Sequence, residues 1–194
     1  MPTYGARESP RRMRLTKVPD RYVAVDTETN GDPAHPQAIE VAALRMVDGE
    51  ELATFSTLLK PDDLPLPYGV EALCGITTAM LMDAPDAADV LDELLGFLGD
   101  DVVAGHNVAF DLRVLDALMA RNGRDPLPTT QVVDSLTLAR RAFPELPNHR
   151  LDTVFTHCQC VSWREARFHG TAHRALYDAR MSAFALEVCR ELGH

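Results

Sequence analysis

Lysine is almost missing from this chain: of 19 basic residues, only Lys17 and Lys60 are lysine and the rest are arginine. Arginine offers a planar fork suited to phosphate oxygens, although an arginine-rich genome would leave the same mark. No apolar stretch is long enough to span a bilayer, and no charged n-region followed by an apolar h-region opens the chain. No membrane partner is expected, and the cytoplasm is the default location. The four cysteines, Cys74, Cys158, Cys160 and Cys189, are unevenly spaced and outline no disulfide framework, so reduced thiols are expected. Nor do His149, His157, Cys158 and Cys160 follow a usual zinc spacing. The single tryptophan, Trp163, stands near Arg164 and Arg167, which is weak evidence for a strand clamp.

What is present describes a globular domain. The 194 residues, 46% hydrophobic and 25% charged, suit one domain with a sizeable core. A net charge of -10 weighs against a polyanionic partner in sum. Its distribution says more: residues 61 to 101 hold ten acids and no Lys or Arg, whereas 140 to 180 hold seven Arg against four acids. One flank could therefore face phosphates.

Residues 1 to 20, with Arg11, Arg12 and Arg14 but no hydrophobic periodicity, are predicted to be a mobile tail ahead of one domain over 21 to 194. Tyr22-Val-Ala-Val-Asp26 then runs as a buried strand straight into Asp26-Thr-Glu28. Alternation along a strand puts both carboxylates on one face. Buried acids without a cationic partner are costly, and a divalent cation is the natural partner, with a solvated turn as the bland alternative. Ala38 to Met46 and Glu51 to Leu59, split by Val47-Asp48-Gly49, read as a hairpin that makes the first three strands antiparallel. Pro61, Pro65 and Pro67 break regular structure ahead of a short helix capped by Thr77 or Thr78. Asp89 to Leu98 has helical spacing.

Val102 to Gly105 repeats the device: a short strand runs into His106-Asn107 and a helix opened by Asp111. Complementing that helix dipole is the plain alternative role for Asp111. A third short strand, Val132 to Asp134, precedes helices over Leu136 to Arg141, Asn148 to Cys160 and Ala172 to Leu192. His173 and Asp178 are five apart, so they converge only if His173 sits on the loop before the last helix. Strands that pair antiparallel and then alternate with helices indicate an α/β domain with a mixed central sheet.

Four acids from three segments, each at a strand end or helix start, with a histidine, form a much rarer pattern than any pair. In Asp26-Thr-Glu28, Gly105-His-Asn-Val-Ala-Phe-Asp111 and His173-Arg-Ala-Leu-Tyr-Asp-Ala179 the chain resembles the DEDDh subgroup of the DEDD exonucleases, to which the proofreading epsilon subunit of bacterial DNA polymerase III belongs. Leu73-Cys-Gly-Ile76 and Asn148-His-Arg-Leu-Asp152 look like secondary family segments.

The resemblance implies a ribonuclease H-like, three-layer fold with a mixed sheet of about five strands. It implies a metal-dependent 3′-to-5′ exonuclease that binds two divalent cations, Mg or Mn, and releases nucleoside 5′-monophosphates. Asp26 would bridge the ions, Glu28 and Asp178 would complete the first site, and Asp111 would support the pair. His173 would take a proton from the attacking water, a task suited to histidine's ordinary pKa of about 6.5. Thr27 and Thr29 would approach the 3′ end, His106 and Asn107 would line the substrate site, and Leu73, Ile76 and Phe110 would pack on the terminal base or sugar. Core packing is the alternative for those last three. The expected partner is a nucleic-acid 3′ end, DNA ahead of RNA, with a DNA polymerase as a candidate second partner. The ending at His194, directly after the last helix, favours a free-standing trimming or repair enzyme over a polymerase-held one. A binding module that uses the fold only as a surface is the competing class.

Overall fold

The computed structural model describes residues 8–166 and 168–194. A six-stranded sheet is assembled in the order β1-β6-β5-β2-β3-β4. β2 (Arg21–Thr29), β3 (Ala38–Val47) and β4 (Glu50–Leu58) form the expected antiparallel meander. β5 (Val102–Gly105) pairs parallel with β2, and β6 (Gln131–Asp134) parallel with β5. The meander follows from composition. β2 and β3 carry near-continuous apolar runs because both of their faces are covered, and Asp48-Gly49 supplies two consecutive positive φ angles, 51° and 82°, for the tight turn between β3 and β4.

Alternation in β2 divides the core. Tyr22 and Ala24 face one layer, where they meet α5 (Ser135–Ala142), α6 (Leu151–Val161) and α7 (Ala175–Glu191). Val23 and Val25 face the other, made by α3 (Ala87–Leu98) and α4 (Ala109–Arg121). α1 (Tyr68–Cys74) and α2 (Thr78–Met82) enclose a smaller cluster with Ile39, Leu66, Ile76 and Leu81. The result is the three-layer ribonuclease H-like arrangement. No helix of the described residues is long and apolar enough to cross a membrane.

Two expectations need correction. Met13–Arg14, placed by the sequence in a mobile tail, instead adds an edge strand, β1, parallel to β6, which raises the strand count from about five to six. Two residues carry no readable periodicity, and what seats them is a long-range contact: Arg12 holds the buried Asp116 of α4 with two hydrogen bonds of 2.8 Å, and Ser9 adds a third at 2.7 Å. The basic cluster is thus partly neutralised, Arg14 pairing with Asp134 at 3.4 Å. The second correction is α1, which forms directly after Pro67 where only broken chain was expected, the proline standing at its N-cap.

Candidate active site

The parallel strands β2, β5 and β6 end at one edge of the sheet, and the chemistry-bearing side chains collect there. Asp26 and Glu28 continue the even-numbered face of β2, the face that meets α7. Asp178, in the first turn of α7, comes to meet them, and one carboxylate oxygen from each of the three lies within 4.8 Å of the others. Among the described residues Asp178 Oδ1 is buried without a hydrogen-bond partner, and Asp178 is the residue that meets the carboxylates of Asp26 and Glu28. Such an orphaned oxygen is unusual in a folded interior and fits a hard cation that prefers oxygen ligands.

Electrostatics say the same thing in another way. Burial, then the charges of Asp111, Asp178 and Glu28, hold the Asp26 carboxyl well above the ordinary range. Glu28 is pushed up to about 7, by burial first and then by Asp178 and Glu40, with Arg174 opposing. Asp178 rises to about 6 through burial, although His173 beside it pulls the other way. Without a cation these groups repel one another in a poorly solvated place; with one, each acquires a partner.

Asp111 joins this trio from another side, and its charge is the strongest of those acting on Asp26. It reaches the site from α4, on the opposite layer, where the odd-numbered Thr27 faces. Only 4% exposed, it accepts hydrogen bonds from the Thr27 amide at 3.0 Å and hydroxyl at 2.9 Å. Burial raises its pKa to about 7 against the pull of those bonds. Asp111 therefore reads as a support behind Asp26, and Thr27 as its tether, with both donors of Thr27 turned inward. Close packing of β5 on β2 makes this work: a Cβ on Gly105 would lie 2.9 Å from the Val25 carbonyl oxygen and 3.2 Å from Val108, so glycine is what fits between β2 and the turn into α4.

His173 lies on the loop before α7, as the spacing demanded. It is exposed, in the left-handed region at φ 61°, and its amide donates to Asp178 Oδ2 at 3.3 Å. Thr29 at the irregular end of β2, exposed Asn107 and half-buried Phe110 follow the strand ends at the same edge, and Leu73, 57% exposed, stands on α1. The Arg113 guanidinium lies over the Phe110 ring, 5.8 Å from its centroid. Ile76 and His106 differ from expectation. Ile76 has no exposed surface and fills the cluster around α1 and α2. His106 uses both ring nitrogens inside the protein, on Ser135 Oγ at 2.9 Å and the His149 carbonyl at 2.8 Å, and burial lowers its pKa. His149 is thereby accounted for as a brace, while Arg167, proposed as half of a clamp with Trp163, lies outside the described residues.

Sequence reading missed two residues here. Glu40, 3% exposed, faces the site from β3 and is bound by Arg174. The available signal was a carboxylate inside the apolar run Ala38–Leu44. Asp134 was expected only as a helix cap; it caps α5 through Leu136 N–H and also accepts from Asn107 N–H, fixing the left-handed turn at φ 62° that precedes α4.

Comparison with known proteins agrees with this geometry. The exonuclease family model of the RNase T type matches residues 23–186. Over 169 residues the chain is 35% identical to the DNA polymerase III PolC-type of Bacillus subtilis (strain 168), taking in 86% of this chain but only 11% of that protein. Among solved structures it is similar to exonuclease X in complex with 5′ overhanging duplex DNA, with TM-score 0.68, 26% identity and coverage of 89% of this chain and 93% of that one. A 3′-exonuclease in a structure of histone mRNA stem-loop recognition is similar at TM-score 0.74 over 90% of this chain and 65% of that one; at 15% identity that likeness shows the fold alone. With the acidic trio at the sheet edge and the family match over most of its length, the chain belongs to the DEDD-type 3′–5′ exonuclease family of the ribonuclease H-like superfamily.

Proposed function

We propose that this domain is a DEDDh-type exonuclease that hydrolyses the terminal phosphodiester bond at the 3′ end of single-stranded or frayed DNA, releasing nucleoside 5′-monophosphates. The observation that carries the reading is the convergence of Asp26, Glu28 and Asp178 oxygens within 4.8 Å, with Asp178 Oδ1 buried and unpartnered. These carboxylates would hold Mg²⁺ or Mn²⁺. Bound divalent cations would supply charge stabilisation for the attacking and leaving oxygens of the displacement.

The chain's own residues would do the rest. His173, exposed at the mouth and next to Asp178, accepts the proton from the attacking water; the water oxygen bonds to phosphorus as the bond to the 3′ oxygen of the shortened strand breaks. Asp178 orients His173 through the 3.3 Å amide contact. Asp111 and Thr27 keep the Asp26 strand end rigid. Leu73 and Phe110 offer apolar surface to any terminal base, a contact without sequence preference.

DNA is favoured because relatives at 35% identity are DNA polymerases. That likeness also supports a second reading, a proofreading domain working on a polymerase. The test is 5′-labelled single-stranded DNA, mismatched duplex and short RNA incubated with Mg²⁺ or Mn²⁺. A ladder shortening from the 3′ end is expected, fastest on DNA; His173→Ala should lose roughly 10²- to 10⁴-fold in rate while still binding metal. Internal cleavage, or no cleavage with either metal, contradicts the proposal.

A further inference from the structure

An ion pair beside the acidic trio has no place in the chemistry above. Glu40 is a single carboxylate within the apolar run Ala38–Leu44 of β3, and it lies directly across the sheet from Glu28, so both face α7. Unlike Asp26, Glu28 and Asp178, its oxygens are fully engaged. Arg174 Nη2 donates to Oε1 at 2.6 Å, Arg174 Nε lies 3.2 and 3.1 Å from the two oxygens, and the Ala175 amide donates to Oε2 at 2.9 Å. Glu40 is therefore not a spare metal ligand: it is saturated by donors from the start of α7.

Those donors sit in a telling place. Arg174 is the N-cap of α7, whose own side chains provide no cap, so Glu40 supplies the missing acceptor from another strand. Immediately before it, His173 holds a left-handed backbone, which is strained for an L-residue and persists where neighbours enforce it. Four residues after Arg174 comes Asp178, whose amide closes the first turn on the Arg174 carbonyl at 3.0 Å. The segment that must place both the base and the third carboxylate is thus hydrogen-bonded to β3 through the buried Glu40.

We infer that Glu40 and Arg174 are positioning residues, a latch that fixes the turn at His173 and the first turn of α7 and so sets both against Asp26 and Glu28. The kinetic consequence rests on the exonuclease reading; the structural one does not. Arg174→Ala removes the fork while leaving every proposed ligand in place.

In metal-free protein, amide hydrogen exchange over residues 173–178 should quicken about tenfold in Arg174→Ala, with residues 183–188 unchanged. On single-stranded DNA, kcat should fall roughly ten- to a hundredfold with KM within about twofold, as expected for small misplacement of reacting groups. Arg174→Lys should recover little, because an ammonium does not reproduce the fork. In a His173→Ala background Arg174→Ala should cost markedly less than it does alone, since the base it positions is gone. If Arg174→Ala does not fold, Glu40→Gln, which keeps an acceptor for the Ala175 amide, should show the same pattern at smaller size. Unchanged exchange at 173–178 overturns the latch, as does a raised KM with intact kcat, which would make Arg174 a contact to substrate phosphate. A wild type without exonuclease activity defeats the functional proposal instead, and the exchange result alone then decides the latch.

Discussion

Replacing Glu28 with glutamine should abolish activity and yet stabilise the metal-free protein. The Glu28 carboxyl makes no hydrogen bond among the described residues, so the amide gives up no partner. Its pKa is pushed from 4.5 up to about 7. A raised folded pKa means that the protonated form favours folding: that contribution is fully present below 4.5 and is lost as pH rises from there through 7. At about 1.4 kcal/mol per tenfold change in proton affinity the rise corresponds to about 3 kcal/mol, and solvent screening of this partly exposed side chain lowers it to about 1–2 kcal/mol. Denaturation with a chelator at pH 8 should therefore show Glu28→Gln more stable by about 1–2 kcal/mol, or about 2–8 °C for a domain of this size. At pH 5 the difference should shrink below about 0.5 kcal/mol. Added Mg²⁺ or Mn²⁺ should reverse the order, because the cation stabilises the form that binds it. A variant no more stable than wild type at pH 8 without metal would refute the idea that these carboxylates are held together against their mutual repulsion.

Other perturbations probe the frame around the site. Asp116→Ala should cost about 3 kcal/mol in urea denaturation, because it strands Arg12 and the Leu127 amide that the buried carboxylate accepts at 3.0 Å; a loss under 1 kcal/mol would show that β1 is not anchored there. Gly31→Ala, at φ 77° and with a Cβ that would meet Val70 Cγ2 at 2.5 Å, should displace α1 and raise KM for nucleic acid several-fold while metal binding is kept; an unchanged KM would remove α1 and Leu73 from the substrate site. His173→Ala should leave the Mn²⁺ titration curve as it is in wild type, and loss of metal binding would instead make His173 part of the metal centre.

The site was legible where chemistry is concentrated at ends of elements. Asp26, Glu28, Asp178 and His173 each sit where an apolar run stops or a helix starts, and those transitions survive in a bare sequence. Partner assignments were not legible, because they depend on which strands become neighbours. Glu40 meets Arg174 across 134 residues only because β3 pairs with β2 in the register Glu28 to Glu40. The tether of Asp111 to Thr27 was likewise hidden, because it depends on alternation in β2 turning Thr27 toward α4. Ile76 and exposed Leu73 are three residues apart in one family segment, and only the packing of α1 on Ile39 and Leu66 tells that one is core. Met13–Arg14 was invisible for a simpler reason: a two-residue strand has no period.

The most direct measurement is calorimetric titration of Mn²⁺ into metal-free wild type and Asp178→Ala at pH 8. If Asp26, Glu28 and Asp178 form a divalent-cation centre, the wild type binds and the variant, stripped of the buried oxygen that has no other partner, loses most of that binding while remaining folded. Equal Mn²⁺ binding by the two proteins would contradict it.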